Sequence, residues 1–201
     1  MPTQFLLAHG AGAPSTSPWI QRFAGLLAEL GRVRSFDYPY ARATAGGRPR
    51  KTPDKLEVLI AAHRQELAAL RAAAASDDRI VLAGKSLGGR VGCHVALEEK
   101  VSGVICFGYP LRGQNAKLRD EVLLALRTPV LFIQGTRDSL CPLDELEKAR
   151  ARMTAPSELF VVEGGNHSLE ATRTALKTQG TTQTDVEYAI QSVVRRFCEG
   201  L

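Results

Sequence analysis

Short apolar runs recur along the chain, each too short to form a helix. A continuous run of four to six apolar residues is typical of a strand that is buried on both faces, as in a parallel sheet. Six runs are interpreted in this way, at residues 5–8, 33–38, 80–83, 104–107, 130–133 and 159–162, although 33–38 also includes Arg34, Ser35 and Asp37. The pattern therefore predicts about six parallel strands.

Between these runs the apolar residues recur at helical spacing. The first helix should begin at Pro18 behind Ser17 as N-cap and end at Gly31, and two longer helices are expected at about 53–75 and 184–198. Strands and helices alternate throughout, and right-handed crossovers place helices on both faces of such a sheet. We expect an α/β fold with a doubly wound, mostly parallel sheet, in a single domain over residues 1–201.

Composition and charge narrow the possible partners. Hydrophobic residues make up 44% and charged residues 23%, which is ordinary for a globular protein. The net charge of +5 could attract nucleic acid, but the chain has no Cys/His finger, aromatic RNA-binding motif or phosphate-binding loop, so an arginine-rich solvated surface is the expectation. The four cysteines form no CxxC pair and are expected to be reduced thiols, without a disulfide or a metal.

The sequence shows no recognisable targeting signal. No window approaches the roughly 20 apolar residues of a membrane span, and residues 1–12 do not resemble a signal peptide. A cytoplasmic protein with no membrane partner is expected.

One motif suggests a nucleophile. The run 80–83 leads into GKSLGG at 84–89, and a helical pattern follows at once. This is G-x-S-x-G in a strand-turn-helix context, in which glycines two residues either side of the serine make room for a sharp turn. The alternatives are a turn with an incidental serine or a phosphate-binding loop, although the latter needs a longer glycine spacing. We predict Ser86 as the nucleophile.

A serine nucleophile needs a base and a third group that orients the base. His63 and His94 lie within helical patterns, whereas His167 follows a late strand in GGNH. Asp138 follows the run 130–133 and lies between the serine and the histidine, the chain order expected for a nucleophile in this strand-turn-helix context. His167 is predicted as general base and Asp138 as its partner. An Asx turn or N-cap remains an alternative role for Asp138, and a swap of roles between His9 and His167 remains open.

The tetrahedral intermediate needs two backbone N–H donors. One should come from Leu87, directly after the nucleophile, and the other from HGAG at 9–12, where Ala11 is the best candidate. His9 would then be a structural residue of that turn.

Together, HGAG at 9–12, GKSLGG at 84–89, GTRD at 135–138 and GGNH at 164–167 resemble the α/β-hydrolase superfamily over nearly the whole chain. The chain is most similar to its small lidless members, namely the dienelactone-hydrolase-like enzymes and the hydrolase-like group related to testis-expressed and NSL-complex subunits. Dienelactone hydrolases proper carry a cysteine where this chain has Ser86. The chain also opens on the strand that bears HGAG, so the first two strands of the usual eight are expected to be absent.

The resemblance implies a minimal fold without a cap domain, because the segment between Phe107 and Val130 is too short to hold one. The site should then be open to solvent, with a rim that includes Tyr38 and Tyr109. The loop 41–52 carries Arg42, Arg48, Arg50 and Lys51; it either recruits an anionic substrate or is merely solvated. Tyr38, Tyr109, Arg48 and Arg50 are thus the predicted substrate-binding residues.

The expected activity is that of a serine hydrolase of the carboxylesterase type. It would cleave small carboxylic esters or thioesters through an acyl-enzyme on Ser86, without a metal or an organic cofactor. The alternative is a catalytically weak or inactive scaffold that binds a protein partner. The sequence does not indicate the substrate's identity or the oligomeric state.

Overall fold

The central element of the protein is a six-stranded sheet. The computed structural model describes residues 2–42, 52–113 and 117–201. Every pair of neighbouring strands is parallel, in the order β2-β1-β3-β4-β5-β6. The strands are β1 (Thr3–Ala8), β2 (Arg32–Phe36), β3 (Arg79–Lys85), β4 (Gly103–Phe107), β5 (Val130–Gly135) and β6 (Ser157–Val162). Each of them contains or overlaps one of the six apolar runs, which confirms the predicted parallel sheet.

Helices connect these strands. They are α1 (Pro18–Ala28), α2 (Leu56–Ala73), α3 (Leu87–Val95), α4 (Glu121–Ala125), α5 (Leu143–Arg150), α6 (Arg173–Gln179) and α7 (Gln183–Glu199). The sequence pattern did not predict α6, which buries no side chain and therefore has no apolar stripe. It is defined by its ends instead: the Thr172 hydroxyl accepts a hydrogen bond from Ala175 N–H, and left-handed Gly180 terminates it.

The two faces of the sheet bury different helices. Leu6, Leu82 and Phe132 point into a core that includes the buried faces of α2 and α3. Their neighbours in the strands point the other way, into a core shared with α1 and α7. Because successive side chains of a strand alternate between faces, a buried parallel sheet must be covered on both sides. The predicted doubly wound architecture is confirmed.

The strand order fixes where a ligand can bind. From β1 the chain moves outward to β2 and then returns past β1 to β3, so the connections after β1 and β3 diverge. Ligands of open α/β sheets bind at such a switch point, beyond the carboxyl ends of the strands. HGAG follows β1 and Ser86 follows β3, so both motifs lie at this point.

Nothing in the described structure covers that edge with a further domain. Over residues 108–113 and 117–129, the described parts of the connection between β4 and β5, the only helix is the five-residue α4. This agrees with the prediction that a cap domain is absent. Among the helices that the structure describes, none combines the length and the apolar character needed to cross a bilayer.

Candidate active site

Ser86 occupies a strained turn between β3 and α3. Its backbone has φ 49° and ψ −112°, a conformation that L-residues rarely adopt. A Cβ on Gly84 would lie 2.3 Å from the carbonyl carbon of Gly88, and one on Gly88 would lie 2.5 Å from Ala8 O. The Ser86 N–H donates to Phe107 O at 2.9 Å, which ties the turn to the end of β4. Only glycines at both positions allow this turn, which presents the serine at the carboxyl edge of the sheet.

Ser86, His167 and Asp138 form a continuous chain of hydrogen bonds. His167 Nε2 lies 2.8 Å from Ser86 Oγ, and His167 Nδ1 lies 2.7 Å from Asp138 Oδ2. A carboxylate can only accept, so Nδ1 carries the proton and Nε2 is free to accept from the serine hydroxyl. The turn after β5 supplies Asp138 and the loop after β6 supplies His167. The structure thus brings together all three residues that the sequence predicted, from three separate strand ends.

Asp138 is held on both of its oxygens, and it is only 3% exposed. Leu140 N–H donates to Oδ1 at 2.9 Å, while the Gln134 side-chain amide donates to Oδ2. Gln134 Oε1 in turn accepts from Tyr109 N–H at 3.0 Å, and its side chain has no exposed surface. The sequence analysis missed Gln134. The signal was a glutamine directly after an apolar run, a position where a buried amide needs polar partners.

His9 holds the turn after β1. Its ring is fully buried, with Nε2 accepting from Tyr38 N–H at 3.1 Å and Nδ1 lying 2.6 Å from Gly10 O. Because Nε2 accepts a hydrogen bond, Nδ1 is the donor and the imidazole is neutral. Burial lowers the pKa of His9, which favours the same form. Tyr40 Oη also donates to Gly10 O, at 3.1 Å. These bonds keep Gly10 beside Ser86 and give His9 a positioning role, while His167 is the histidine that reaches the serine.

Two backbone amides are available for an oxyanion. Leu87 is the first residue of α3, where helical N–H groups lack an intrahelical acceptor, and Ala11 lies in the loop that faces Ser86. In the described part of the chain neither amide donates a hydrogen bond. The assignment of these two amides to the oxyanion stays a prediction.

A cavity of about 470 Å³ opens beside the serine. Its walls are mainly apolar side chains and the backbone of the HGAG loop. The lining residues are Gly10, Ala11, Gly12, Ala13, Ser17, Pro18, Trp19, Ile20, Lys85, Ser86, Leu140 and His167. Lys85 is the one ammonium among them: its Nζ donates to Ser168 Oγ at 2.8 Å and lies 4.7 Å from the Trp19 ring centroid. Burial lowers the pKa of Lys85, a shift that Glu170 opposes and Arg22 reinforces.

The predicted tyrosine rim is wrong. Tyr38 and Tyr109 have no exposed surface, and neither lines the cavity. Tyr38 Oη pairs with His63 Nδ1 at 3.1 Å, and Tyr109 Oη donates to Arg119 O at 2.9 Å. Both rings turn inward from their strand ends because the core below accepts the ring and also offers the hydroxyl a partner. The aromatic side chain that does line the cavity is Trp19, on α1.

The predicted cationic rim is only partly described. Arg48, Arg50 and Lys51 lie outside the described residues. Arg42 donates to Asp37 O at 2.9 Å and pairs at 3.3 Å with Glu66, a carboxylate that it shares with Arg34.

A parallel sheet whose third strand presents a strained serine, with histidine and aspartate from later strand ends, defines the α/β-hydrolase class. A family model described as an alpha/beta hydrolase domain matches residues 1–199. The chain therefore belongs to the α/β-hydrolase family.

Solved structures share the fold at low sequence identity. An alpha-beta serine hydrolase homologue from Coxiella burnetii has a TM-score of 0.71 at 19% identity, over 96% of this chain and 84% of that one. Est1E from Butyrivibrio proteoclasticus has a TM-score of 0.68 at 13% identity, over 98% and 89%. CarC, a serine hydrolase involved in carbazole degradation, has a TM-score of 0.71 at 16% identity, over 99% and 92%. At these identities the likeness concerns the fold alone.

Proposed function

We propose that the protein is a serine hydrolase that cleaves small carboxylic esters or thioesters through an acyl-enzyme on Ser86. The observation that carries the proposal is the chain of hydrogen bonds from Ser86 Oγ through His167 to Asp138. A serine hydroxyl is a poor nucleophile unless a base is already within hydrogen-bond reach. Here the base is in contact with the hydroxyl and has its own orientation fixed.

The reaction follows from these positions. Ser86 Oγ attacks the ester carbonyl while His167 Nε2 takes the hydroxyl proton, and Asp138 stabilises the imidazolium that forms. The Leu87 and Ala11 amides donate to the oxyanion. His167 then returns the proton to the leaving alcohol or thiol, the carbonyl reforms, and the acyl group stays on Ser86. Water activated by the same His167 attacks the acyl-enzyme, which releases the acid and restores the serine.

The cavity supports an ester of modest size. Its volume of about 470 Å³ lies within the range of small-molecule sites, and its walls of Trp19, Ile20 and Leu140 suit an apolar acyl chain. In one related structure, Est1E from Butyrivibrio proteoclasticus holds ferulic acid. An aromatic or aliphatic acyl group against Trp19 would be the corresponding arrangement in this protein.

A fluorophosphonate probe tests the proposal directly, because it reacts only with an activated serine. We expect stoichiometric labelling that maps to Ser86 and is lost in Ser86→Ala. Ser192→Ala is the matched control, since Ser192 is exposed on α7 and its hydroxyl donates to Tyr188 O, its one side-chain hydrogen bond within the described residues. Hydrolysis of a short aryl ester should fall on the order of 10³-fold in Ser86→Ala. Folded protein that takes up no label would instead favour a scaffold that binds a protein partner.

A further inference from the structure

Lys85 lies at the wall of the candidate substrate cavity and forms no ion pair in the described structure. Glu170 acts on it electrostatically only from beyond ion-pair distance, and Glu170 also lies 3.9 Å from Arg22. Among the described residues no carboxylate lies within the 4.0 Å of an ion pair from Lys85 Nζ. Some other cations of the surface are ion-paired, for example Lys148 with Asp144 at 3.1 Å and Arg34 with Glu66 at 2.7 Å. Lys85 differs from these cations because it directly precedes the nucleophile and lines the cavity beside it.

The partners that Lys85 does have leave its charge unbalanced. An ammonium carries three donors, and Ser168 Oγ accepts only one of them. The Trp19 ring, whose centroid lies 4.7 Å from Nζ, attracts the charge only weakly. A half-buried cation without a carboxylate in direct contact is costly to the folded protein unless a ligand provides the opposite charge.

The position of Lys85 indicates which ligand group could provide it. Apart from His167, Lys85 is the only ionisable side chain among the described residues that line the cavity, and the walls beside it are apolar. A single ammonium matches a monoanionic carboxylate, whereas a phosphate dianion is usually bound by arginine or by several donors. The ligand that fits has an apolar body and one carboxylate.

We infer that Lys85 binds a carboxylate at the far end of the acyl group, so that the preferred substrates are monoesters or monothioesters of dicarboxylic acids. This inference rests on the proposed acyl-enzyme mechanism. The carboxylate is assigned to the acyl group because that group stays bonded to Ser86 through both half-reactions and must occupy the cavity. The leaving alcohol, by contrast, has to depart from the cavity after the first half-reaction.

Matched substrates test the inference. Ethyl hexanoate and monoethyl adipate have acyl chains of equal length and differ in a terminal methyl or carboxylate. We expect kcat/KM to favour monoethyl adipate, and the ratio of the two kcat/KM values to fall on the order of tenfold in Lys85→Met. Lys85→Arg should recover part of the ratio, and Lys148→Met should leave it unchanged. If Lys85 had a purely structural role, Lys85→Met would lower kcat/KM for both substrates by the same factor and leave the ratio unchanged.

A binding measurement keeps the test independent of turnover. Trp19 is the only tryptophan of the chain and lies beside Lys85, so its fluorescence reports on the cavity. In Ser86→Ala protein, monoethyl adipate should bind on the order of tenfold more tightly than ethyl hexanoate, and adding Lys85→Met should abolish the difference. If monoethyl adipate binds selectively but the parent protein does not hydrolyse it, the proposed hydrolase activity is contradicted. The inferred carboxylate site at Lys85 would still stand.

Three results would overturn the inference itself. Equal binding of the two esters would do so, as would a preference that survives Lys85→Met. A preference that appears only when the carboxylate is moved to the leaving alcohol would show that the acyl assignment is wrong.

Discussion

Gln134 and Asp138 are joined through the same carboxylate oxygen that His167 uses. Gln134 is the penultimate residue of β5, and its side-chain amide donates to Asp138 Oδ2, which also accepts from His167 Nδ1. Its own carbonyl is fixed by Tyr109 N–H at the end of β4. The orientation of the acid therefore depends on a buried glutamine that is anchored to the neighbouring strand.

Replacing this glutamine should weaken catalysis rather than substrate binding. In Gln134→Leu the Asp138 carboxylate loses one donor and can rotate away from His167, so we expect kcat to fall on the order of tenfold with KM little changed. Steady-state kinetics with a short aryl ester measures both constants. Gln191→Leu is the control, because Gln191 is also buried and donates to Leu26 O at 2.8 Å, but on α7. An equal loss of kcat in both variants would mean that Gln134 acts only through stability.

The three catalytic candidates should act as one unit. His167→Ala and Asp138→Asn should each lower kcat, because one removes the base and the other favours the wrong imidazole tautomer. Ser86→Ala alone should lower kcat on the order of 10³-fold, and combining it with either change should lower kcat little further. Double-mutant cycles with one ester at matched protein concentration provide the comparison. Full activity in Asp138→Asn would show that another carboxylate orients His167.

The sequence predicted the strands and the catalytic candidates because their signals are local. A buried parallel strand needs a continuous apolar run, and a sharp turn around Ser86 needs Gly84 and Gly88, so both are visible in a few consecutive residues. The direction in which Tyr38 and Tyr109 point is not local. The Tyr38 hydroxyl pairs with His63, which lies 25 residues further along the chain. The Tyr109 hydroxyl donates to Arg119 O, on the other side of a loop. Gln134 was missed for the same reason, since its partner Tyr109 N–H comes from the loop that follows another strand, β4.

Glycine substitutions should separate the required turn from ordinary helix positions. An alanine at 84 would place its Cβ 2.3 Å from backbone atoms of Gly88, so Gly84→Ala should destabilise the protein by about 1–3 kcal/mol or more and abolish fluorophosphonate labelling. Gly25 lies inside α1 with nothing within 4 Å of a Cβ. Gly25→Ala should therefore stabilise it by up to about 1 kcal/mol. Urea unfolding at neutral pH measures both, and a Gly84→Ala protein with parental stability and labelling would contradict the turn geometry.

Acid should destabilise the fold through His63. Its ring lies fully buried on α2, with Nδ1 at 3.1 Å from Tyr38 Oη and Nε2 without a partner in the described structure. Burial lowers the pKa of His63 from 6.5 to about 3. Below pH 6.5 the unfolded chain therefore binds a proton that the folded chain does not, and this favours unfolding as the pH falls from 6.5 towards 3.

The contribution of His63 can be isolated by a pair of variants. Between pH 7 and pH 5 its linkage should cost about 2 kcal/mol of stability, and His63→Leu should remove that part of the pH dependence, whatever its effect at pH 7. Tyr38→Phe removes the same hydrogen bond but keeps the imidazole, so it should lose stability at both pH values and retain the parental dependence. Urea midpoints at pH 7 and pH 5 supply the comparison. His9, whose pKa is also lowered by burial, remains in all three proteins and sets a common background. If His63→Leu keeps the full loss of stability between the two pH values, the acid sensitivity arises from other groups and the buried His63 is not its source.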